Sequence, residues 1–492
     1  MLDKINMKKE ADKQTYDARM AHLEIRMGEL QRECKELGIP IMIVFEGFEA
    51  SGKGTMINRM IRPLDPRGFK VYTMEKESEE DRMHPYLWRY SIKTPAKGRI
   101  HIFDRSWYQG LSSGKLSAAE IRQFEKQFTD DGMLLVKFFL AITKKEQKRR
   151  LEELVKDKST KWRVTKEDWE KNKAYDECLS AYDDMLIETD VSEAPWTVVE
   201  AMDKKYASCK ILTTLVNRME EAVAAKRSSA GKVKAENLPE TEKENDEDLQ
   251  NGVLQRIDLT LDIIPEEYKE RKKKLQKKLA LLHNQMYLKR VPVILAFEGW
   301  DAGGKGGAIK RITQSIDPRG YEVVPVSAPN DLEKSHHYLW KFWQKFPKDG
   351  HMAIFDRTWY GRVLVERIEG FATEQEWKRA YSEINNMEAH LTRSGAVVLK
   401  FWMHIDKDEQ ERRFKQRQET PEKQWKITDE DWRNRARWDD YERAVDEMVL
   451  RTSTKNAPWY IIEANSKLYA RIKVMEIVVE ALEHALENKA GK

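Results

Sequence analysis

Residues 291–307 read Val-Pro-Val-Ile-Leu-Ala-Phe-Glu-Gly-Trp-Asp-Ala-Gly-Gly-Lys-Gly-Gly, an apolar run that ends in glycines around one lysine. This pattern, followed by Ala-Ile-Lys-Arg-Ile at 308–312, predicts a strand, a tight loop and a helix start. Glycines let consecutive backbone N–H groups converge on phosphate oxygens, and the helix start adds its positive end. The stretch therefore predicts a phosphate-binding loop, with Lys305 as a mobile charge and four glycines as backbone donors: Gly299, Gly303, Gly304 and Gly306.

The spacing from Gly299 to Lys305 fits the Walker A frame, but Gly306 stands where such loops carry the Ser or Thr that binds magnesium. Asp301 lies inside the loop, and carboxylate oxygens are ligands that Mg²⁺ prefers. We therefore predict that Asp301 holds the metal. The alternative, a glycine-rich turn without a ligand, is disfavoured because a turn rarely needs four glycines, a lysine and an aspartate together.

Composition limits the protein class. The 492 residues suggest about two to four domains. Lys plus Arg number 88 against 84 Asp plus Glu, so the net charge of +4 does not indicate a general nucleic-acid binder. The three cysteines show no metal-binding spacing and are expected to be reduced packing residues. No apolar run reaches the roughly 18 residues of a membrane span, so we expect a cytoplasmic protein.

The phosphate loop occurs twice, because residues 45–54 repeat it with Lys53 placed 252 positions before Lys305. The same offset joins further segments: 64–69 with 316–321, 84–88 with 336–340, and 102–108 with 354–360. Farther on the offset is 263, as for Trp169 and Trp432, so the second copy has 11 more residues after its Asp-Arg motif. The chain is thus a tandem repeat.

We predict an N-terminal domain at 1–225, a flexible linker at 226–252 and a C-terminal domain at 253–492, because 225–251 has few large apolar residues. Each copy opens with a long amphipathic helix, which we expect to pack antiparallel on its own domain rather than form an intermolecular coiled coil. Strand-like runs then alternate with helical patterns; in the first copy the runs are 41–45, 70–74, 100–103 and 134–139. The predicted fold is α/β: two tandem P-loop kinase-like domains, each a parallel sheet covered by helices with a helical lid.

A second motif is the apolar run at 352–355 that ends in Asp356 and Arg357. An Asp at the carboxyl end of a buried strand beside a phosphate loop is placed to bind magnesium, directly or through water. Arg357 is placed to bridge phosphate oxygens as charge redistributes during transfer. The alternative is a simple ion pair at the strand end. It is disfavoured because the first copy repeats the Asp-Arg motif at the same distance from its loop lysine.

A third constellation is helical and charged. Arg413 and Arg417 are four residues apart, so they share a helix face and can reach one polyanion. Such a helical excursion after the fourth strand commonly forms a mobile lid over phosphates. Lys426, in the charged segment that follows, is grouped with them as a phosphate-binding residue. A solvated helix with charge pairs is the alternative for each Arg, and the interleaved acids argue against a nucleic-acid surface.

These motifs together resemble the family-2 polyphosphate kinases, over nearly all of 253–486 and more weakly over 16–224. The matching segments are the loop at 299–307, the Pro-Arg-Gly turn at 318–320, the His-Tyr-Leu-Trp run at 337–340, residues 355–367 and the Ala-Pro-Trp tail at 457–459. The resemblance implies transfer of a terminal phosphoryl group between inorganic polyphosphate and a nucleotide, with Mg²⁺ required; tandem members make ADP from AMP. It assigns roles to six residues: Asp301 and Asp356 to magnesium, Lys305 to bridging phosphates, Arg357 to the transferring group, and Arg413 and Arg417 to the lid.

The first copy departs from this pattern. Glu49 replaces the loop Asp, Ser51 replaces a Gly, and no counterpart of residues 361–367 follows Tyr108. Octahedral Mg²⁺ tolerates a displaced carboxylate poorly, so we place catalysis in the second copy. The loop lysine and the Asp-Arg pair persist in the first copy, so weak activity or polyphosphate binding there stays open.

The sequence thus predicts a polyphosphate:AMP phosphotransferase activity, with two alternatives: ADP as the acceptor, giving ATP, or a P-loop ATP-binding regulator or nucleic-acid-associated ATPase. The expected partners are polyphosphate and AMP or ADP, with no nucleic acid and no membrane. A homo-oligomer stays open. No pocket for an adenine base follows from the spacing of the motifs.

Overall fold

The computed structural model describes residues 1–229, 252–421 and 429–490. The predicted site residue Lys426 and most of the predicted linker, 230–251, lie outside these residues; the first four linker positions complete a helix. The chain forms two compact units, one for each copy of the repeat, except that residues 331–340 group with the first unit and 78–85 with the second. Within the described ranges, no helix is both long and apolar enough to cross a membrane.

The copy at the N-terminus has five strands and ten α-helices in the described part of the chain. The strands are β1 (Ile41–Gly47), β2 (Phe69–Thr73), β3 (Ile100–Asp104), β4 (Leu134–Ala141) and β5 (Trp196–Glu200). The helices are α1 (Lys13–Glu36), α2 (Lys53–Ile61), α3 (Glu79–Arg82), α4 (Trp88–Ser91), α5 (Gln109–Ser112), α6 (Ala118–Asp130), α7 (Lys144–Lys156), α8 (Lys166–Lys173), α9 (Tyr175–Thr189) and α10 (Lys204–Ser229). The four predicted strands are confirmed.

The second copy repeats this order among the residues described. Its strands are β6 (Val293–Gly299), β7 (Tyr321–Pro325), β8 (Met352–Asp356), β9 (Val397–His404) and β10 (Trp459–Glu463). Its helices are α11 (Pro265–Leu288), α12 (Lys305–Thr313), α13 (Asp331–Lys334), α14 (Trp340–Trp343), α15 (Val365–Ile368), α16 (Glu374–Arg393), α17 (Lys407–Glu419), α18 (Asp429–Ala436), α19 (Trp438–Thr452) and α20 (Lys467–Ala490).

Both sheets are parallel throughout and have the same strand order: second, third, first, fourth, fifth. The first and fourth strands are almost fully buried, as expected for a parallel sheet with helices on both faces. In the second unit β6 lies between β8 and β9, so Phe297 pairs with Asp356 and Gly299 pairs with Met403. The predicted α/β fold is confirmed, and the carboxyl edge of each sheet brings the loop and the Asp-Arg motif together.

The expected antiparallel packing of the opening helix is wrong. Ion pairs join Arg26 to Glu220 and Glu33 to Arg227, so α1 and α10 run in the same direction. The second unit shows the same order with Arg271–Glu476 and Lys278–Glu483. The reason is topological. Helix α1 precedes β1 and α10 follows β5, each through a short turn, so each helix runs antiparallel to its strand. Because β1 and β5 are parallel, the two helices are parallel to each other. Each helix does pack on its own unit, as predicted.

The additional residues of the second copy can be located from one shared contact. The indole N–H of Trp107 donates to Glu125, 18 positions later, whereas that of Trp359 donates to Glu388, 29 positions later. The longer path holds α15 and the 20-residue α16, where the first copy has the four-residue α5 and the 13-residue α6. The extra residues therefore lie in the segment that follows the Asp-Arg motif.

Candidate active site

The phosphate loop of the second unit has the predicted strand, loop and helix. Gly304 caps α12 at a φ of 110°, a left-handed conformation that glycine adopts without strain. Gly299 has no room for a side chain, because a Cβ there would lie 2.6 Å from the carbonyl oxygen of Met403. Lys305 begins the helix and donates from Nζ to the Gly299 carbonyl at 2.8 Å. This loop presents the start of a helix and an ammonium group at the edge of the sheet, as a phosphate site requires.

Asp301 lies at the centre of the charged side chains. Its Oδ2 accepts a hydrogen bond from Asn434 Nδ2 at 3.0 Å, and its Oδ1 lies 3.5 Å from a terminal nitrogen of Arg357. Asp356 ends β8 beside Phe297, at the same edge of the sheet. The predicted residues Asp301, Lys305, Asp356 and Arg357 thus all lie at the carboxyl ends of adjacent strands.

The backbone after β8 is strained. Arg357 has a φ of 68°, a left-handed conformation that costs a non-glycine residue of order 1 kcal/mol. Its N–H donates to the Phe297 carbonyl at 3.0 Å, and both the N–H and the hydroxyl of Thr358 donate to Glu298 Oε1 at 2.7 Å. Burial raises the pKa of Glu298. The strand that carries the phosphate loop therefore also fixes the direction in which Arg357 leaves β8.

A buried ion pair supports the next two residues. Glu388 accepts hydrogen bonds from Trp359 Nε1 at 3.0 Å and from the Tyr360 hydroxyl at 2.8 Å, and it pairs with Lys400 Nζ at 2.7 Å. Lys400, which is 0% exposed, also donates to the Thr452 carbonyl at 2.7 Å. The first unit repeats this cluster with Glu125 and Lys137, at residues that are equally buried. This buried-pair cluster links β9 to the loop after β8.

A cleft of ≈ 680 Å³, open to solvent, lies against the charged residues. We call it the aromatic cleft; it is lined by Glu298, Gly299, Trp300, Asp301, Lys305, Arg357, Gly361, Leu364, Val365, Trp402, Gln410, Asn434, Arg435 and Tyr441. Lys305, Asp301 and Arg357 are among its charged residues, and Trp300, Trp402, Tyr441, Leu364 and Val365 give it aromatic and aliphatic surface. This combination suits a planar heterocycle that carries a phosphate.

Two tryptophans form the aromatic wall. Trp300 stacks on Trp438 with ring centres 3.7 Å apart and donates from Nε1 to His404 Nδ1 at 3.0 Å. Burial lowers the pKa of His404 to about 4, so this imidazole is neutral and able to accept at Nδ1. Trp402 packs edge-on against Trp300 and is 2% exposed, and its Nε1 has no hydrogen-bond partner among the described residues. An unpaired buried N–H in the wall of a cleft is costly unless a ligand or water accepts from it.

Arg413 lies beneath the loop rather than on a solvent-facing helix surface. It is 2% exposed, and its guanidinium donates to the carbonyls of Ala302 at 2.8 Å and Gly303 at 3.2 Å, and to those of Ala464 and Asn465. Its Nε pairs with Glu409 at 2.5 Å. Because these contacts use the donors of the fork, Arg413 positions the phosphate loop.

A second cavity, of ≈ 790 Å³ and also open to solvent, contains several cations. We call it the basic cavity; it is lined by Ala302, Gly303, Gly304, Gly307, Met403, Arg413, Gln416, Arg417, Lys467, Ala470 and Arg471. Burial and the neighbouring charge of Arg413 lower the pKa of Lys467 to about 8. Met403 lines this cavity whereas Trp402 lines the aromatic cleft, and successive strand residues point to opposite faces of a sheet. The two spaces therefore flank the phosphate loop on opposite sides.

The first unit arranges its loop differently. Glu49 pairs with Arg105 at 2.6 Å and with Lys171 at 3.0 Å; Lys171 occupies the position of Asn434. Phe48, which corresponds to Trp300, stacks on Tyr175 with ring centres 4.7 Å apart. The carboxylate that corresponds to Asp301 is thus bound to two cations.

Sequence reasoning placed the charged residues but missed both spaces that flank the loop. Trp402, Asn434 and Arg471 come from segments far from the loop in sequence. A usable signal existed in the repeat, because the matching positions in the first copy hold Phe139, Lys171 and Ser208. Differences between the copies mark the walls of the cleft and the cavity.

Comparison with known proteins matches both copies to one family model, Polyphosphate kinase 2, over residues 10–227 and 263–490. A polyphosphate:AMP phosphotransferase of Pseudomonas syringae pv. tomato is 39% identical over 500 residues, covering 98% of each chain. A protein of the same name from Pseudomonas aeruginosa is 39% identical over 490 residues, covering 97% of each. The crystal structure of a polyphosphate kinase 2 from Pseudomonas aeruginosa PA01 superposes with a TM-score of 0.87 at 36% identity, covering 99% of both chains. With both copies matched and the similarity extending over nearly the whole length, this chain belongs to the polyphosphate kinase 2 family.

Proposed function

We propose that this protein transfers the terminal phosphoryl group of inorganic polyphosphate to AMP, producing ADP and a chain one phosphate shorter. The observation that carries the proposal is the position of the phosphate loop between an aromatic cleft and a basic cavity. A nucleotide fits the first, because its base needs apolar walls and its phosphate needs cations. A polyanion without a base fits the second, whose polar lining is dominated by Arg and Lys.

The chemistry follows from this placement. An α-phosphate oxygen of AMP attacks the terminal phosphorus of the chain, the bridging P–O bond breaks, and the shortened chain leaves with the bond electrons. In phosphoryl transfer, most catalysis comes from positioning and charge stabilisation. We assign Lys305 to the bridging oxygens and Arg357 to the transferring group; the strained backbone of Arg357 is held by its N–H bond to the Phe297 carbonyl at 3.0 Å.

Two carboxylates are available for magnesium: Asp301, which lines the aromatic cleft, and Asp356, which ends β8 at the same edge of the sheet. Asp301 and Asp356 provide two hard oxygen ligands, and no cluster of three or more His, Cys, Asp or Glu side chains able to hold a metal occurs in the described ranges. A site of two carboxylates suits Mg²⁺, which usually keeps several waters and takes its remaining ligands from substrate phosphates. When bound, the ion would neutralise charge on the transferring group. We assign Asp301 and Asp356 to this role.

AMP is preferred over ADP as the acceptor because both long relatives above are named for AMP. The same chemistry with ADP would yield ATP and is the second candidate. A P-loop regulator that binds ATP without transfer is a weaker candidate, because such a protein has no use for the basic cavity beyond the loop.

The deciding experiment varies the donor. The full chain is incubated with AMP and Mg²⁺ plus either polyphosphate or ATP, and ADP is quantified by anion-exchange chromatography. The proposal predicts ADP formation from AMP with polyphosphate. When ADP replaces AMP as the acceptor under the same conditions, kcat/KM for ATP formation should be lower. ADP formation with ATP alone would identify an ordinary nucleotide kinase, and no transfer from either donor would support the regulator.

A further inference from the structure

The first unit retains a phosphate loop whose acidic residue, Glu49, forms ion pairs with neighbouring cations. Glu49 accepts from Arg105 at 2.6 Å through Oε2 and from Lys171 at 3.0 Å through Oε1. Burial alone would raise the pKa of Glu49, but the charges of Lys53, Arg105 and Lys171 outweigh it and lower the pKa to about 2. Both carboxylate oxygens of Glu49 therefore already bind cations at neutral pH, so Glu49 is a poor ligand for Mg²⁺.

This arrangement changes the charge of the loop. Three cations, Lys53, Arg105 and Lys171, surround the single carboxylate of Glu49. In the second unit, Asp301 has a neutral Asn434 at the position of Lys171. Lys171 thus places a positive charge on the loop acid where the second unit has a neutral amide, and Lys171 also pairs with Glu167 at 3.2 Å. Lys171 supplies, permanently and at short range, part of the positive charge that a bound metal would supply in the second unit.

The phosphate-binding groups of the loop are preserved in the first unit. The nine-residue helix α2 begins at Lys53, and Gly52 precedes it at a φ of 98° with no side chain of the described residues capping it. Ser51 is 2% exposed, and its hydroxyl has no hydrogen-bond partner within the described part of the chain. Gly54 has open space on its Cβ side. A helix start, an unpaired hydroxyl and a lysine are the groups that hold phosphate oxygens in phosphate loops.

The wall of the aromatic cleft is not preserved. Phe48 stacks on Tyr175 as Trp300 stacks on Trp438, but Phe48 also meets the edge of Tyr182 with ring centres 5.2 Å apart, where the second copy has Val445. The residues that match Gly361, Leu364 and Val365 of the cleft wall are absent from the first copy. A ligand of this loop should consist of phosphate alone.

We propose that the first unit binds the end of an inorganic condensed phosphate at Ser51, Lys53 and the start of α2, without a metal ion and without transferring a phosphoryl group. Lys171 and Arg105 provide the charge that magnesium provides in the second unit. The site is a holding site for the donor polymer, separate from the site of transfer. It does not require the transfer reaction proposed above, so each proposal can fail alone.

Binding of tripolyphosphate to the full chain, measured by isothermal titration calorimetry in EDTA, tests this inference. In EDTA, one binding site per chain is expected at the first loop, separate from binding in the basic cavity of the second unit. Lys53→Ala should weaken it at least about tenfold, because one charge-assisted phosphate contact is lost. Ser51→Ala should weaken it a few-fold, and the matched second-copy variant Lys305→Ala should leave it unchanged. AMP should not displace the tripolyphosphate.

A further variant separates this mechanism from simple charge attraction. Lys171→Asn introduces the residue of the second copy and removes the cation from Glu49 Oε1 while Arg105 keeps Oε2, so tripolyphosphate binding should be lost in EDTA and partly regained with Mg²⁺. Thermal unfolding of each variant confirms that the fold is retained. The inference is overturned if Lys53→Ala leaves all EDTA-resistant binding intact, if the site at the first loop disappears in Lys305→Ala, or if AMP competes for it.

Discussion

Asp301 shows how one residue alters the chemistry of a familiar loop. Gly306 replaces the usual hydroxyl, and we propose that Asp301 takes over the metal from within the loop, where Asn434 and Arg357 contact its carboxylate. Asp301 also lines the aromatic cleft. This proposal therefore couples the position of the metal to that of the acceptor.

Replacing Asp301 or Asp356 by Asn tests the metal assignment. An amide is a much weaker ligand for Mg²⁺ and does not balance its charge, so kcat for ADP formation should fall at least about 100-fold in each variant. Titration with Mg²⁺ should show a raised half-saturation, while circular dichroism shows an unchanged fold. Near-wild-type turnover at ordinary magnesium in either variant would contradict the role of that residue.

Trp402 offers a test of the acceptor site. If its indole N–H donates to the base of the bound nucleotide, Trp402→Phe should raise KM for AMP about tenfold with little change in kcat, which corresponds to one neutral hydrogen bond. Stability should not fall, because the N–H has no partner among the described residues and Phe139 occupies the same position in the first copy. An unchanged KM in a folded variant would remove Trp402 from the acceptor site.

The lowered pKa of Lys467 leads us to predict that polyphosphate binding depends on pH. Burial and the charge of Arg413 lower its pKa to about 8, with Arg412 and Arg471 acting in the same direction and Glu409 opposing them. The ammonium is therefore charged below about pH 8 and loses its charge above it. KM for polyphosphate should rise between pH 7 and pH 9, and Lys467→Arg should flatten that rise because an arginine stays charged. An equally steep rise in Lys467→Arg would exclude Lys467 as the cause.

At the scale of elements, β9 links the fold to the chemistry. Alternate residues of this strand face the aromatic cleft and the basic cavity, and Lys400 anchors the loop after β8 through Glu388. The same anchor in the first unit shows that it belongs to the fold of each copy, yet only in the second does the anchored loop border the cleft. Position along β9 thus determines whether a side chain lines the aromatic cleft or the basic cavity.

The two buried anchors form a matched pair of tests. Glu388→Gln and Glu125→Gln each leave a buried lysine without its counter-charge, which costs about 3–5 kcal/mol of unfolding free energy. We expect similar losses of thermal stability in the affected unit. Only Glu388→Gln should also lower kcat at temperatures where both variants are folded, because it loosens the loop that carries Arg357. Equal kcat losses in the two variants would show that the anchor affects activity only through stability.

Much of the fold was predictable because it depends on local patterns: apolar runs gave the strands, and the repeat gave the two domains. The direction of the opening helices could not be predicted, because helix periodicity shows which face is buried but not what that face packs against. The cleft and cavity were also beyond prediction, because residues such as Trp402, Asn434 and Arg471 meet only through the sheet order. Arg413 was assigned to phosphate from its spacing, whereas its burial directs it to the backbone of the loop.

At the scale of the whole molecule, we propose that the two copies of the repeat perform different tasks. The second copy has Asp301, the aromatic cleft and the basic cavity, whereas the first has Glu49, held by Arg105 and Lys171, at the position of Asp301. Leu154 and Ser208 stand in the first copy where the second has Arg417 and Arg471. The central claim is therefore that transfer from polyphosphate to AMP takes place in the second copy.

The most direct test compares Lys305→Ala with Lys53→Ala in the full chain, measuring ADP formed from AMP, polyphosphate and Mg²⁺. Lys305→Ala should lower the rate at least about 100-fold, because a charge aimed at a transition state is worth several kcal/mol. Lys53→Ala should lower it no more than a few-fold. Equal loss in the two variants, or a greater loss in Lys53→Ala, would contradict the assignment of catalysis to the second copy.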